Sequence, residues 1–207
     1  MIYVFLGIQG SGKGTQAATL CKSFGYVHMN LGDLFRNHID SMTEIGKEAL
    51  SYISQGLLVP DMVVFKVVES AFKQPNKGMV LDGFPRTLQQ AKYLTEHYTI
   101  NKVFYLQLDD DIAMERMLAR RMCNDCGGVY NILSKKPIVE GICDVCGKPL
   151  VKRADDNDIA IKNRLELFHK ETMPLTDYFT KLGLLAVIDA NGSIEVVDQR
   201  VHKALGL

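Results

Sequence analysis

The stretch Gly7-Ile8-Gln9-Gly10-Ser11-Gly12-Lys13-Gly14-Thr15 follows the apolar run Ile2-Tyr3-Val4-Phe5-Leu6 without a break. A buried strand that runs into a glycine-rich turn and then into helix-compatible sequence leaves few folds open. Such a turn directs its backbone N–H groups inward and forms a nest for phosphate oxygens. Gly7, Gly10, Gly12 and Gly14 leave no Cβ in the way of close approach. Lys13 adds a point charge for the outer phosphates, and the helix starting near it contributes the positive end of its dipole. The pattern G-x-x-x-x-G-K-[ST] is met only with Gly14 inserted, so the expected hydroxyl falls on Thr15. Strand, loop and helix together predict a nucleoside triphosphate site.

The rest of the chain alternates. Met79-Val80-Leu81, Val103 to Leu106 and Leu184 to Ile188 are β-rich runs. Between them the spacing predicts helices over 13–24, 60–72, 87–98, 111–122 and 159–179, the last interrupted at Pro174. This order predicts an α/β fold: a parallel sheet flanked by helices, with ligands at the carboxyl ends of the strands. At 207 residues and 47% hydrophobic composition the chain can bury a sizeable core. Two stretches break the alternation. Residues 30–59 are polar and helical, with a capping box expected at Ser41 and Glu44. Residues 123–153 are rich in Gly, Pro, Lys and Cys and have no helical period. Both read as insertions.

The formal net charge is +0, which argues against a broad nucleic-acid or membrane surface, so any positive field must be local. The apolar runs are too short to span a bilayer. Met1 leads directly into the first strand, so no targeting peptide and a cytoplasmic location are expected.

Cys123-x-x-Cys126 and Cys143-x-x-Cys146 are sixteen residues apart, and each pair is followed by a glycine. This is the spacing of two knuckles sharing one tetrahedral Zn²⁺. Four thiolates leave no open coordination position, so the expected zinc is structural. Cys21 stands alone and reads as a core residue. Arg36, Arg86, Arg116, Arg120, Arg121, Arg153 and Arg164 fall where the pattern places loops or helix ends, and a guanidinium fork suits phosphate. In Leu81-Asp82-Gly83-Phe84-Pro85-Arg86-Thr87 a carboxylate ends a strand, where Asp82 could hold Mg²⁺ through water. His28, His38, His97, His169 and His202 show no ligand or triad spacing and read as surface or satisfied core residues. Asp109 to Asp111 read as a helix N-terminus.

Taken in order, GIQGSGKGT (7–15), LGDLFR (31–36), GLLVPD (56–61), LDGFPRT (81–87) with Gln90, ARR (119–121), the two CxxC pairs and RADDN (153–157) with Arg164 cover nearly the whole chain. The sequence resembles the adenylate kinases of bacteria, in their long form with a zinc-bearing lid. The resemblance implies a P-loop NTPase-type core over 1–29, 60–118 and 157–207, an insertion over 30–59 for the acceptor monophosphate, and a lid over 119–156. It implies phosphoryl transfer from MgATP to AMP with ADP as product, a monomer, and no nucleic-acid or membrane partner. For ATP the implied contacts are Gly10 to Thr15 (Gly10, Ser11, Gly12, Lys13, Gly14, Thr15), Arg120, Val129, Tyr130 and Gly192. For AMP they are Leu31, Arg36, Leu57, Leu58, Val59, Gly83, Phe84, Pro85, Arg86 and Gln90. Arg153 and Arg164 would bridge the transferring group, with Asp155 and Asp156 orienting them. Catalytic roles fall to Lys13, Arg86, Arg120, Arg153 and Arg164.

Two departures stand out. Leu31 replaces the family's threonine or serine and cannot hydrogen-bond a base. Gln9 replaces a proline in the phosphate loop. Leu31 gives weight to a kinase of another nucleoside monophosphate (UMP, CMP or GTP-using). Gln90 and the long lid weigh against it. A zinc-ribbon ATPase or regulatory module acting on nucleic acid is a further reading, disfavoured by the charge balance.

Overall fold

The computed structural model describes residues 1–207 except 74, 75 and 154. Ala154, within the 153–157 motif, therefore lies outside the described residues. Along the chain the elements are β1 (Ile2–Gly7), α1 (Lys13–Phe24), β2 (Val27–Asn30), α2 (Leu31–Asp40), α3 (Glu44–Ile53), α4 (Asp61–Phe72), β3 (Met79–Asp82), α5 (Leu88–His97), β4 (Lys102–Gln107), α6 (Asp110–Leu118), β5 (Arg120–Cys123), β6 (Val129–Asn131), β7 (Leu150–Val151), α7 (Asp158–Leu167), α8 (Leu175–Lys181), β8 (Leu185–Asp189) and α9 (Ile194–Leu205).

Five parallel strands form one sheet in the order β2-β3-β1-β4-β8. β1 is central because it is apolar on both faces. Val4 and Leu6 face a cluster built with Val63, Val67, Leu94 and Phe179 of α4, α5 and α8. Phe5 faces the opposite side, with Leu20 of α1 and Val197 and Val201 of α9. The same alternation divides Met79 and Leu81 from Val80 in β3. Each fully buried large side chain contributes about 1.5–3 kcal/mol. Strand order reverses direction around β1, so the loops after β1, β3 and β4 share one rim of the sheet.

Helix ends follow local chemistry. α1 starts at Gly12 (φ 92) and ends at Gly25, whose N–H bonds the Cys21 carbonyl. Asn30, Thr43 and Ser193 cap α2, α3 and α9 with side-chain oxygens. The capping box expected at Ser41 is therefore displaced: Thr43 is the cap and bonds Gly46 N at 3.1 Å, while Ser41 closes α2. The helix expected over 111–122 stops at Leu118, and Arg120–Cys123 is a strand. It pairs with β6 and β7 in a separate antiparallel sheet of order β6-β5-β7. The helix expected over 159–179 is divided into α7, a π-turn over Phe168–Thr172, and α8, with Pro174 at the start of α8. Asp109 to Asp111 do form the start of α6.

Candidate active site

A cavity of about 1090 Å³ lies over the carboxyl ends of β1 and β3, with walls from α2, α4, β6, α7 and the loop before α9. Gly10 to Thr15 line its floor. Gly10 sits at φ 87, and a Cβ there would lie 2.5 Å from the Ala113 carbonyl oxygen, so only glycine fits. Lys13 Nζ donates to the carbonyls of Gly7 at 2.7 Å and Ile8 at 2.8 Å. Burial pushes this ammonium down to about 8; Asp82 opposes the shift, and Arg86 and Arg120 add to it. Ser11 Oγ and Gln9 Oε1 are buried and have no hydrogen-bond partner among the described residues.

Asp82 ends β3 at 5% exposure. Its Oδ2 accepts from Asn30 Nδ2 at 2.6 Å and lies 3.6 Å from His28 Nε2. Burial raises its pKa, but His28, Lys13 and Arg86 together outweigh that and hold it below the ordinary value. It is thus an ionised carboxylate at the phosphate loop, a hard oxygen donor of the kind that suits hydrated Mg²⁺. His28 departs from expectation: its ring lines the cavity, and its buried Nε2 faces the Asp82 carboxylate at 3.6 Å, just beyond hydrogen-bond distance, with no closer partner among the described residues. The other four histidines are satisfied. His38 meets Thr43 Oγ1 at 2.9 Å, His97 the Tyr93 carbonyl at 2.8 Å, His169 Asp110 at 2.8 Å and His202 the Asp198 carbonyl at 3.0 Å.

The arginines converge. Arg120 grips Asp156 through Nε at 2.8 Å and Nη2 at 2.6 Å, and Arg164 Nη1 reaches the same carboxylate at 3.0 Å. Arg164 also pairs with Asp155, which Arg153 holds at 3.1 and 3.2 Å. Asp156 is 1% exposed, so it orients these forks from behind. Burial would raise the Asp155 pKa, but Arg153 and Arg164 hold it down to about 2. Arg86 Nε donates to the Gly83 carbonyl at 2.8 Å, and Arg36 pairs with Asp33. Burial and neighbouring guanidinium groups, Arg164 for Arg86 and Arg120 for Arg153, bring both down to about 10. Among the described residues, six arginines with Lys13 and Lys135 line the cavity against Asp33, Asp82, Asp155 and Glu195, with Asp156 buried behind them, which gives a positive pocket in a chain of zero net charge.

Leu31, Arg36, Leu57, Leu58, Val59, Gly83, Pro85, Arg86 and Gln90 all line the cavity. Phe84 does not: its side chain is fully buried in the core beside α4 and α5, which corrects its placement among the contacts. Leu31 is 3% exposed and packs in the same core cluster as Phe35, an apolar wall where a hydroxyl was expected. Gln90 is held at both ends, accepting from Arg86 N at 2.7 Å and donating to Asp61 Oδ1 at 2.6 Å. The second amide hydrogen of Gln90 takes part in neither of these bonds, and the residue lines the cavity. Gly192 (φ 124) lies in the loop between β8 and α9, where Arg116 bonds the Ala190 carbonyl at 3.3 Å and Arg200 bonds the Asp189 carbonyl at 2.7 Å. Val129 and Tyr130 both line the cavity, Val129 with its side chain exposed and Tyr130 with its ring buried in the lid cluster. Asn30 and Thr172, which bonds the Arg86 carbonyl at 2.9 Å, line the cavity, and Asp61 holds Gln90 from behind; these three had no role assigned from sequence, whereas Arg116, one of the arginines read as suited to phosphate, lines the cavity too.

Cys123, Cys126, Cys143 and Cys146 bring their sulfurs within 4.8 Å of one another, and none is in a disulfide. The pairs 123/146 and 126/143 are 3.4 Å apart. A tetrahedral Zn²⁺ with ligands at ~2.3 Å needs sulfurs ~3.8 Å apart, so the four residues fit the ion. Gly127 N and Gly147 N close the two turns on the Cys123 and Cys143 carbonyls at 3.0 and 2.9 Å. The Tyr130 hydroxyl lowers the Cys143 thiol to about 6. Cys21 is buried, as expected.

Sheet, glycine loop and convergent cations define a nucleotide-phosphate-binding α/β protein with phosphoryl-transfer geometry. The adenylate kinase family model matches residues 5–184. The chain is 41% identical over 216 residues to an adenylate kinase of Caldicellulosiruptor bescii, covering 100% of both. It is 42% identical over 212 residues to one of Caldanaerobacter subterraneus subsp. tengcongensis, covering 99% and 96%. It is also 42% identical over 213 residues to one of Streptomyces avermitilis, covering 99% and 97%. The chain belongs to the adenylate kinase family.

Proposed function

We propose that the protein transfers the terminal phosphoryl group of MgATP reversibly to AMP, giving two ADP. The observation that carries this reading is the convergence of Lys13 and six guanidinium groups on one cavity over the glycine loop. Phosphoryl transfer asks for in-line positioning and charge compensation more than covalent help. The attacking AMP oxygen is already anionic, so no general base is required.

In this reading Gly10 to Thr15 cradle the ATP phosphates, with Arg120, Val129, the Tyr130 backbone and Gly192 completing the donor side. Leu31, Arg36, Leu57 to Val59, Gly83, Pro85, Arg86 and Gln90 hold AMP. Arg153 and Arg164 span the transferring group, and Asp82 would hold hydrated Mg²⁺, which when bound would offset phosphate charge. Residues 30–59 clasp the acceptor and 119–156 form a zinc-stiffened lid that excludes water, both carried by a core of 1–29, 60–118 and 157–207. The protein acts as a cytoplasmic monomer without nucleic-acid or membrane partners. No described helix is long and apolar enough to cross a membrane.

The test is ADP formation from ATP with AMP, UMP, CMP or GMP as acceptor. AMP is expected to be the preferred acceptor. Equal or better rates with a pyrimidine nucleotide would overturn the acceptor, and no ADP with any of them would overturn the activity.

A further inference from the structure

Tyr130 lies in the centre of β6, yet its ring packs against Cys123, Cys143 and Leu150 in a small cluster of its own. Its hydroxyl oxygen accepts the backbone N–H of Asp144 at 2.8 Å and lies 3.5 Å from Cys143 Sγ. A phenol has one hydrogen to donate. The Asp144 N–H occupies a lone pair of the oxygen, which leaves that hydrogen to point at the sulfur. A metal-bound thiolate has no hydrogen of its own, so the direction is set: tyrosine donates and sulfur accepts.

We propose that Tyr130 is an outer-sphere donor of the four-cysteine metal centre, fastening the Cys143 sulfur to strand β6. Hydrogen bonds to ligand atoms orient them and tune their hold on the metal. The connection continues beyond the sulfur. In the ladder Tyr130 faces Arg121, and Asn131 faces Arg120, whose guanidinium grips Asp156 in the phosphate cavity. One hydroxyl therefore joins the metal turn to the strand pair that presents Arg120. The inference concerns the metal centre and stands apart from the proposed reaction.

The experiment uses the full chain with zinc bound, Tyr130→Phe as the variant and Leu150→Val as a packing control in the same cluster. Competition with a chromophoric chelator reads zinc affinity, and the thiolate-to-metal charge-transfer band of the Co²⁺-substituted protein at saturating metal reads the sulfur directly. Tyr130→Phe is expected to bind zinc about 10- to 100-fold more weakly, with the band moved to lower energy as the sulfur loses its donor. Leu150→Val is expected to leave the band in place. The proposal is overturned if the band of Tyr130→Phe coincides with the parent's, or if both variants move it equally. Zinc affinity of Tyr130→Phe within about threefold of the parent's overturns it as well.

Discussion

Asn30 uses one amide for two tasks. Its Oδ1 caps α2 at Asp33 N, 3.0 Å away, while its Nδ2 holds Asp82 at 2.6 Å. Asn30→Ser keeps a capping oxygen worth about 1 kcal/mol but cannot reach Asp82. Its melting temperature is expected to stay near the parent's, while the Mg²⁺ concentration for half-maximal rate rises; a Mg²⁺ titration beside a thermal melt checks both. Lys13→Ala and Arg86→Ala each remove a preorganised cation and are expected to slow turnover by at least about a hundredfold. Steady-state ADP formation in either variant measures this. Asp155 carries a pH signature. Its folded pKa, about 2, lies below the ordinary carboxylate value. Its contribution, on the order of 2 kcal/mol, is therefore complete above pH ~4 and lost as pH falls toward 2. Denaturant melts should show the parent more stable than Asp155→Asn at neutral pH and the difference shrinking across that window. The phosphate loop and the arginines were readable in the chain because their chemistry sits in contiguous motifs. His28 and Asn30 were not, because their meaning arises only when β2 pairs with β3 and sets Asn30 opposite Asp82.

Strand β1 and helix α1 appear where the pattern places them, since a double-sided apolar run and flanking glycines leave one solution. The boundary between α6 and β5 was hidden for the opposite reason. Residues 111–122 keep a helical period, but strand pairing with β6 and β7 captures Arg120–Cys123. β6 and β7, at three and two residues, are too short to announce themselves. Their order depends on a neighbour: among the described residues the cluster beneath them holds only Cys123, Tyr130, Cys143 and Leu150. Metal binding at such sites supplies on the order of 10 kcal/mol of folding energy. Chelation is therefore expected to unfold β5–β7 while the five-stranded sheet persists. Amide hydrogen exchange checks this, with protection lost over residues 120–151 and kept in β1, β3 and β4.

The 30–59 insertion meets helix α7 of the core beside the cavity. Asn163 Nδ2 of α7 donates to the Gln55 carbonyl at 2.8 Å, and a Cβ on Gly56 would lie 2.3 Å from the Ala160 carbonyl oxygen. Gly56→Ala is expected to hold these surfaces apart and lower turnover several-fold. Its control is Gly25→Ala, which shares a positive φ but has open space around it, so each carries about 1–2 kcal/mol of backbone strain and only one carries the clash. Rates compared at equal melting temperature separate the two effects. The pairing of Arg120, Arg153 and Arg164 with Asp155 and Asp156 has a consequence for life in a crowded solution of small anions. The protein carries its own counter-ions, so a stray sulfate or orthophosphate must displace a tethered carboxylate to gain a foothold. A guest that brings several charges and a base to anchor them is expected to win that exchange more readily than a single small anion.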